Sequence, residues 1–181
     1  METIKAFQKD EQGYYCQPTR KKFYYEEGKT YKVSKNKAKM CKLGFHASAN
    51  YDISDTVDYY TTNLETIYYG IVDLNVINSD SEISVGNRIT ILKFLPQNFN
   101  ILSVYDKTGK WIYYTGFNWK EFDYKLGFNK LIEVDKTGEL IYLAGCYWKE
   151  FDYKKGLKKL FKIDKTGIFI SLAEKEWKEK I

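Results

Sequence analysis

The sequence predicts an α+β protein: a small mixed domain followed by an antiparallel β-hairpin repeat. Three observations lead there. Aromatics make up 18% of the 181 residues, 17 of them Tyr, and Tyr, Phe, Ile and Thr favour a pleated, half-buried surface. The tetrapeptide Asp-Lys-Thr-Gly recurs at Asp106, Asp135 and Asp164, a fixed interval that signals a tandem array. Helical spacing before Pro96 is confined to one segment, where Ile53, Val57 and Tyr60 fall on one stripe.

In chain order, "TIKAFQ" reads as an opening strand. "KKFYYEEGKTYKV" reads as two strands around a Glu-Glu-Gly turn, and "KMCKLGFHAS" as a strand entering a loop. "NYDISDTVDYYTT" reads as a helix with Asp52 or Ser54 as N-cap. "ETIYYGIVDLNV" and "ISVGNRITILKFL" are strands, and Pro96 with "PQNFN" makes a break. The domains are therefore 1–99 and 100–181.

The second domain holds copies at 102–130, 131–159 and, in part, 160–181. The first two share 17 identities in 29 positions. In each copy apolar segments flank an Asp-x-x-Gly turn, with Gly placed where a positive φ is needed. The hexapeptide "WKEFDY" starts at Trp119 and again at Trp148. Read as a strand, it puts Trp119, Glu121 and Asp123 on one face. A helix is the alternative, since Trp119 and Phe122 are three apart. One copy cannot bury its apolar face alone, so the neighbours supply the partner. The repeated Trp then reads as a packing residue between hairpins, with a ligand cage as the alternative. "SLAEKEWKEKI" at the end reads as a capping copy.

The net charge is +5, yet Arg20 and Arg88 are the only Arg residues. Phosphate and base readers lean on Arg forks, so nucleic-acid binding ranks as an alternative. Its candidate residues are Lys154, Lys155, Lys158, Lys159 and Lys162, in "KKGLKKLFK". The other reading of that run is a solvated edge blunted by Lys. Three widely spaced cysteines, Cys16, Cys41 and Cys146, do not suggest a disulfide framework. The N-terminus has no signal-peptide pattern, and no apolar run nears the ~18 residues of a membrane span. The expectation is a cytoplasmic protein that does not enter a membrane.

No Gly-rich phosphate loop, HExxH, paired CxxC or Gly-x-Ser-x-Gly occurs. His46 is the sole His. Cys41 and His46 form C-x4-H, but zinc usually takes two close ligand pairs. No metal, no cofactor and no catalytic residue is expected, and Cys41 reads as a buried small hydrophobe.

"FYYEEGKTYKV", "MCKLGFHASAN", "YYGIVDLNV" and "ITILKFL" together resemble an uncharacterised family of phage and prophage domains over residues 3–95. Its members carry "YEVGKTYE"-like and "C-x-x-GFHAC-x-N"-like segments. Gly28, Lys29, Thr30, Tyr31, Cys41, Gly44, Phe45, His46, Ala47 and Asn50 fit that pattern. Ser48 departs from it, where the family often has Cys. The resemblance implies a phage or mobile-element origin and brings no activity. The region after Ile101 resembles the aromatic "YDxxGxxxYY" hairpin repeats of bacterial surface and phage proteins, which serve mainly in binding. A strand ending in Gly-Phe-His, then a helix and a strand, is also similar to ADP-ribosyltransferase-like folds. That likeness implies an NAD pocket lined by His46, Tyr59 and Tyr60. The late strand, however, has no Glu after Glu82, and the early strand lacks the usual His or Arg.

The leading expectation is a non-enzymatic binding protein that blocks a host defence system, CRISPR included. Its partner would be a host protein or ribonucleoprotein complex. The alternatives are an ADP-ribosyltransferase-like enzyme and an RNA or DNA binder. Aromatic residues beyond what a single-layer meander can bury should form the contact surface. The candidates are Tyr113, Tyr114, Trp119, Tyr142, Tyr147 and Trp148.

Overall fold

A computed structural model describes residues 1–16, 22–36, 38, 44–57 and 64–181. Two units, Met1–Tyr105 and Asp106–Ile181, each have their own core.

The first unit is a curled antiparallel sheet. Its strands are β1 (Glu2–Asp10), β2 (Gly13–Cys16), β3 (Phe23–Tyr25), β4 (Thr30–Lys32), β5 (Phe45–Ser48), β6 (Tyr68–Ser79) and β7 (Ile83–Phe94). Their order is β3-β2-β1-β6-β7-β4, and β5 also pairs with β7. The two strands predicted around Glu-Glu-Gly exist, but they do not pair with each other. β3 adds to β2, whereas β4 adds to β7. One short turn thus links opposite edges, which is possible because long sheets twist and coil. The curl encloses Phe7, Tyr25, Phe45, Ala47, Val72, Leu74, Ile89 and Ile91. Strand β2, "GYYC", was not anticipated; its Tyr14 ring stacks on Phe94 at 3.8 Å.

The "GFHASAN" segment is shaped by packing and turn chemistry. Gly44 has φ +128°, and an added Cβ would sit 2.6 Å from Val85 Cγ2. Ser48 Oγ donates to Asp55 Oδ2 at 2.6 Å and accepts from Asp52 N–H at 2.9 Å. Asn50 donates from its side chain to the Ser81 carbonyl at 2.6 Å. Asp52, one of the two N-cap candidates, caps a 3₁₀ turn, Ile53–Thr56, at the start of the segment read as a helix. Tyr60 and the rest of the predicted helix beyond Val57 lie outside the described residues until Leu64. Gly44→Ala meets both a strained φ and a contact too short to exist. It is expected to cost ~2 kcal/mol or more of the first unit's stability, measurable by urea denaturation followed by circular dichroism.

A short helix, α1 (Phe99–Leu102), follows the Pro96 break, with Asn98 as its N-cap. The second unit is helical, and this corrects the predicted β-hairpin repeat. It comprises α2 (Lys110–Asn118), α3 (Tyr124–Val134), α4 (Glu139–Tyr147), α5 (Tyr153–Ile163) and α6 (Ile168–Glu176). The interval is the one read from the sequence, but each complete copy is two helices.

The Asp-x-x-Gly segment does form a turn, and the turn opens a helix. Asp106 Oδ1 accepts from the N–H groups of Thr108 (3.2 Å) and Gly109 (2.8 Å), and Oδ2 accepts from Ile112 N–H (2.8 Å). Asp135 does the same for Thr137, Gly138 and Ile141, and Asp164 for Thr166, Gly167 and Ile170. The three carboxylates are buried. Each satisfies helix N-terminal donors that would otherwise lack partners. The glycines sit at φ +89°, +91° and +73°, where a side chain would be strained.

"WKEFDY" is neither strand nor helix interior; it is the connection between the paired helices. Trp119 and Trp148 are C-caps of α2 and α4. Asp123 and Asp152 are N-caps of α3 and α5, accepting from Leu126 N–H and Lys155 N–H at 2.9 Å each. The Trp of one copy rests on the Gly of the copy before it. A Cβ on Gly116 would lie 2.3 Å from Trp148 Nε1, and one on Gly145 would lie 2.2 Å from Trp177 Cζ2. Trp148 Nε1 also donates to the Tyr113 carbonyl at 3.0 Å. Phe122 and Tyr124 box the Trp148 ring at 5.2 and 5.9 Å, and Phe151 and Tyr153 box Trp177 at 5.2 and 5.6 Å. The recurring Trp is therefore a packing residue in the second and third copies.

Candidate functional site

Helix phasing decides which repeat aromatics reach the surface. Positions three or four apart share a helix face. Tyr113 and Phe117 on α2 meet edge to face at 5.0 Å, and Tyr114 flanks Tyr113 at 5.1 Å. Tyr147, at the end of α4, brings its ring to 6.4 Å from Phe117. Tyr147 is 63% exposed and Phe117 46%. The result is an aromatic ridge spanning two copies, built on helices whose other faces are locked by the Trp seats. Burial pushes the Tyr113 hydroxyl up to about 12, with the neighbouring Tyr114, Tyr147 and Cys146 adding to it. The phenol therefore stays neutral at physiological pH.

Of the six predicted contact residues, Tyr114 and Tyr147 belong to this ridge with accessible rings. Tyr113 and Trp148 are buried. They support the ridge instead of presenting a surface, because helix packing turns them inward. Trp119 is half-buried and meets Trp111 edge to face at 5.6 Å. Tyr142 lies apart, stacked on Trp177 at 6.1 Å. Burial raises its hydroxyl pKa, with Cys146 and Glu176 contributing. Phe117 was missed. Only a helical reading places it one turn from Tyr113 and Tyr114.

The five lysines of "KKGLKKLFK" all lie on α5 and divide between its faces. Lys154, Lys158 and Lys162 follow one row and are exposed. Lys155 turns toward the previous copy, donating to Asn129 Oδ1 at 2.6 Å and lying 5.5 Å from the Phe128 ring. Lys159 is half-buried.

In the first unit, His46 is half-buried on β5, paired with Val85. Burial lowers its pKa, Lys5 lowers it further, and a hydrogen bond with the Gly44 backbone opposes both. Lys5 is itself buried on β1. Its ammonium donates to the His46 carbonyl at 2.7 Å and lies 5.6 and 5.8 Å from the Phe7 and Tyr25 rings. Tyr59 and Tyr60, the other members of the predicted NAD pocket, lie outside the described residues, as does Cys41 of the C-x4-H pair. Among the described residues, no three of His, Cys, Asp and Glu gather as a metal cluster. No helix among them is long and apolar enough to cross a membrane.

Residues 1–102 match the family described as "Domain of unknown function (DUF7666)". That is more than half of the chain, and the chain belongs to this family. No curated protein and no solved structure matches it.

Proposed function

We propose that this member of an uncharacterised domain family is a non-enzymatic binding protein of phage or mobile-element origin, which captures a host protein or ribonucleoprotein complex through its repeat helices. Inhibition of a host defence system such as CRISPR is the role it would serve. The observation that carries this reading is the ridge of exposed Phe117 and Tyr147, with half-buried Tyr114 beside them, on a closely packed array. Exposed aromatic patches mark contact surfaces, and rigid aromatic anchors lose little side-chain entropy on binding. The phage-like motifs between Gly28 and Asn50 support the origin.

The test is a pull-down from host lysate with the full chain, followed by affinity measurements on the captured partner. Tyr147→Ala and Phe117→Ala should each weaken binding by ~2 kcal/mol, roughly thirtyfold. If both bind like the parent while His46→Ala abolishes capture, the contact surface lies in the first unit and this reading fails.

A further inference from the structure

We infer that the outer face of α5 is a second binding site, built to take an acidic segment of a partner protein that presents a Phe between carboxylates. The face is an open groove of ≈ 480 Å³ lined by Lys154, Leu157, Lys158, Phe161, Lys162 and Ile181. These α5 residues fall at i, i+3, i+4, i+7 and i+8, one side of a helix. Phe161 is 60% exposed. Lys154, Lys158 and Lys162 stand beside it, and none forms an ion pair among the described residues.

The array itself shows what such a face receives. Leu157 occupies the position that Phe128 holds on α3, one interval earlier. Phe128 is covered by Phe151 of the following copy, edge to face at 4.7 Å. Phe151 stands in the sequence Glu150-Phe151-Asp152. The natural occupant of this type of face is thus an aromatic ring; Asp152 itself caps α5, and it is the lysines of the α5 face that call for carboxylates beside the ring. Opposite Leu157 no such ring arrives, because the position equivalent to Phe122 and Phe151 is Lys180.

A further repeat copy does not fit there. Such a copy would need a glycine under its Trp, as Gly116 and Gly145 provide. The equivalent position on α6 is Glu174. The Trp seat is closed while the Phe seat is open. The α5 face also differs in charge from its precursor: Lys158 replaces Asn129, and Lys162 replaces Glu133. That change favours carboxylates on the occupant, since complementary charge steers and orients a partner.

The inference is independent of the Tyr147 ridge, and the experiment separates the two. The full chain is titrated into a fluorescein-labelled acidic peptide containing Glu-Phe-Asp, and anisotropy is read at low and physiological salt. Saturable binding is expected, weakened about tenfold or more by Phe→Ala in the peptide and by Leu157→Ala or Lys158→Glu in the protein. Lys158 is exposed, so its variant keeps the fold, which the Trp emission spectrum verifies. Tyr147→Ala should leave the peptide affinity unchanged. Absence of saturable binding overturns the proposal, as does binding indifferent to the peptide's Phe. Tighter binding of a single-stranded oligonucleotide of equal charge, lost on Lys158→Glu, would assign the face to nucleic acid and overturn it as well.

Discussion

Trp148→Ala is expected to remove a large share of the stability of the repeat unit. The indole is buried, rests on Gly116, donates to the Tyr113 carbonyl and is boxed by Phe122 and Tyr124. Truncating a buried Trp costs about 3–5 kcal/mol, because a cavity remains where the ring stood. The Tyr113 carbonyl loses its partner in addition. A unit of this size has a total stability of roughly 4–11 kcal/mol, so the loss is a large share of it. The measurement is convenient because all four Trp lie in the second unit. The three that remain report its unfolding in urea, while the first unit is silent in that signal. A midpoint within experimental error of the parent's would mean that the seat contributes little. Gly116→Ala offers the converse perturbation: its Cβ enters the space of the same ring, and overpacking of this kind costs about 1–3 kcal/mol.

Asp135→Ala should be the next most damaging change, at about 2–4 kcal/mol. The side chain accepts from three backbone N–H groups and from the Thr137 hydroxyl, all at 2.9–3.0 Å. Loss of an ordinary N-cap costs ~1 kcal/mol, but here both oxygens are used by buried donors, and stranding such donors costs more. Asp135→Asn keeps the shape yet sets an NH₂ against one of these donors, so it should fall between Ala and the parent. Asp164 adds a dependence on pH. Burial pushes its carboxyl up, but hydrogen bonds from Thr166 and from the N–H groups of Ile170, Thr166 and Gly167 outweigh this and hold it below 3.8. The native value is thus lower than the unfolded one. The stabilisation is complete above pH ~4 and is lost as pH falls through the depressed native value. Urea midpoints from Trp emission should be insensitive to this group between pH 5 and 7 and drop below about pH 4. An unchanged midpoint in Asp135→Ala would remove the cap from the account of the fold.

The strands of the first unit were legible because their signal is dense. β6 and β7 are long runs of β-branched and apolar residues. The pairing was less legible, since nothing in "FYYEEGKTYKV" says that its halves join opposite edges. In the second unit, period and turn were readable while the element type was not. Tyr, Ile and Leu around Asp-Lys-Thr-Gly suggested strands. The buried set Ile141, Ala144, Gly145 and Trp148 nevertheless has helical spacing. Four glycines, Gly116, Gly127, Gly145 and Gly156, argue locally against helix, since Gly disfavours helix interiors. They lie inside helices because aromatic rings press on them: Phe122 on Gly127, Phe151 on Gly156, and Trp148 and Trp177 on the other two. Tertiary contact overrode local preference. The exposed aromatic ridge was half legible for the same reason: Tyr147 was among the aromatics expected at the surface, but Phe117 joins Tyr113 only once the segment is wound.

The Trp and Gly of each seat belong to different copies, and this gives the array a rule for changing length. Recombination between the nearly identical stretches at Asp106–Gly109 and Asp135–Gly138 deletes or duplicates one whole interval. Deletion would remove Gly116, Phe122 and Tyr124 together and leave Trp177 on Gly145, between Phe151 and Tyr153, with the caps of the remaining helices in place. An exchange out of phase by even one residue would lift each indole off its glycine. The gene can therefore lengthen or shorten this region in quanta of one copy, keeping the helices intact while moving the surfaces they carry.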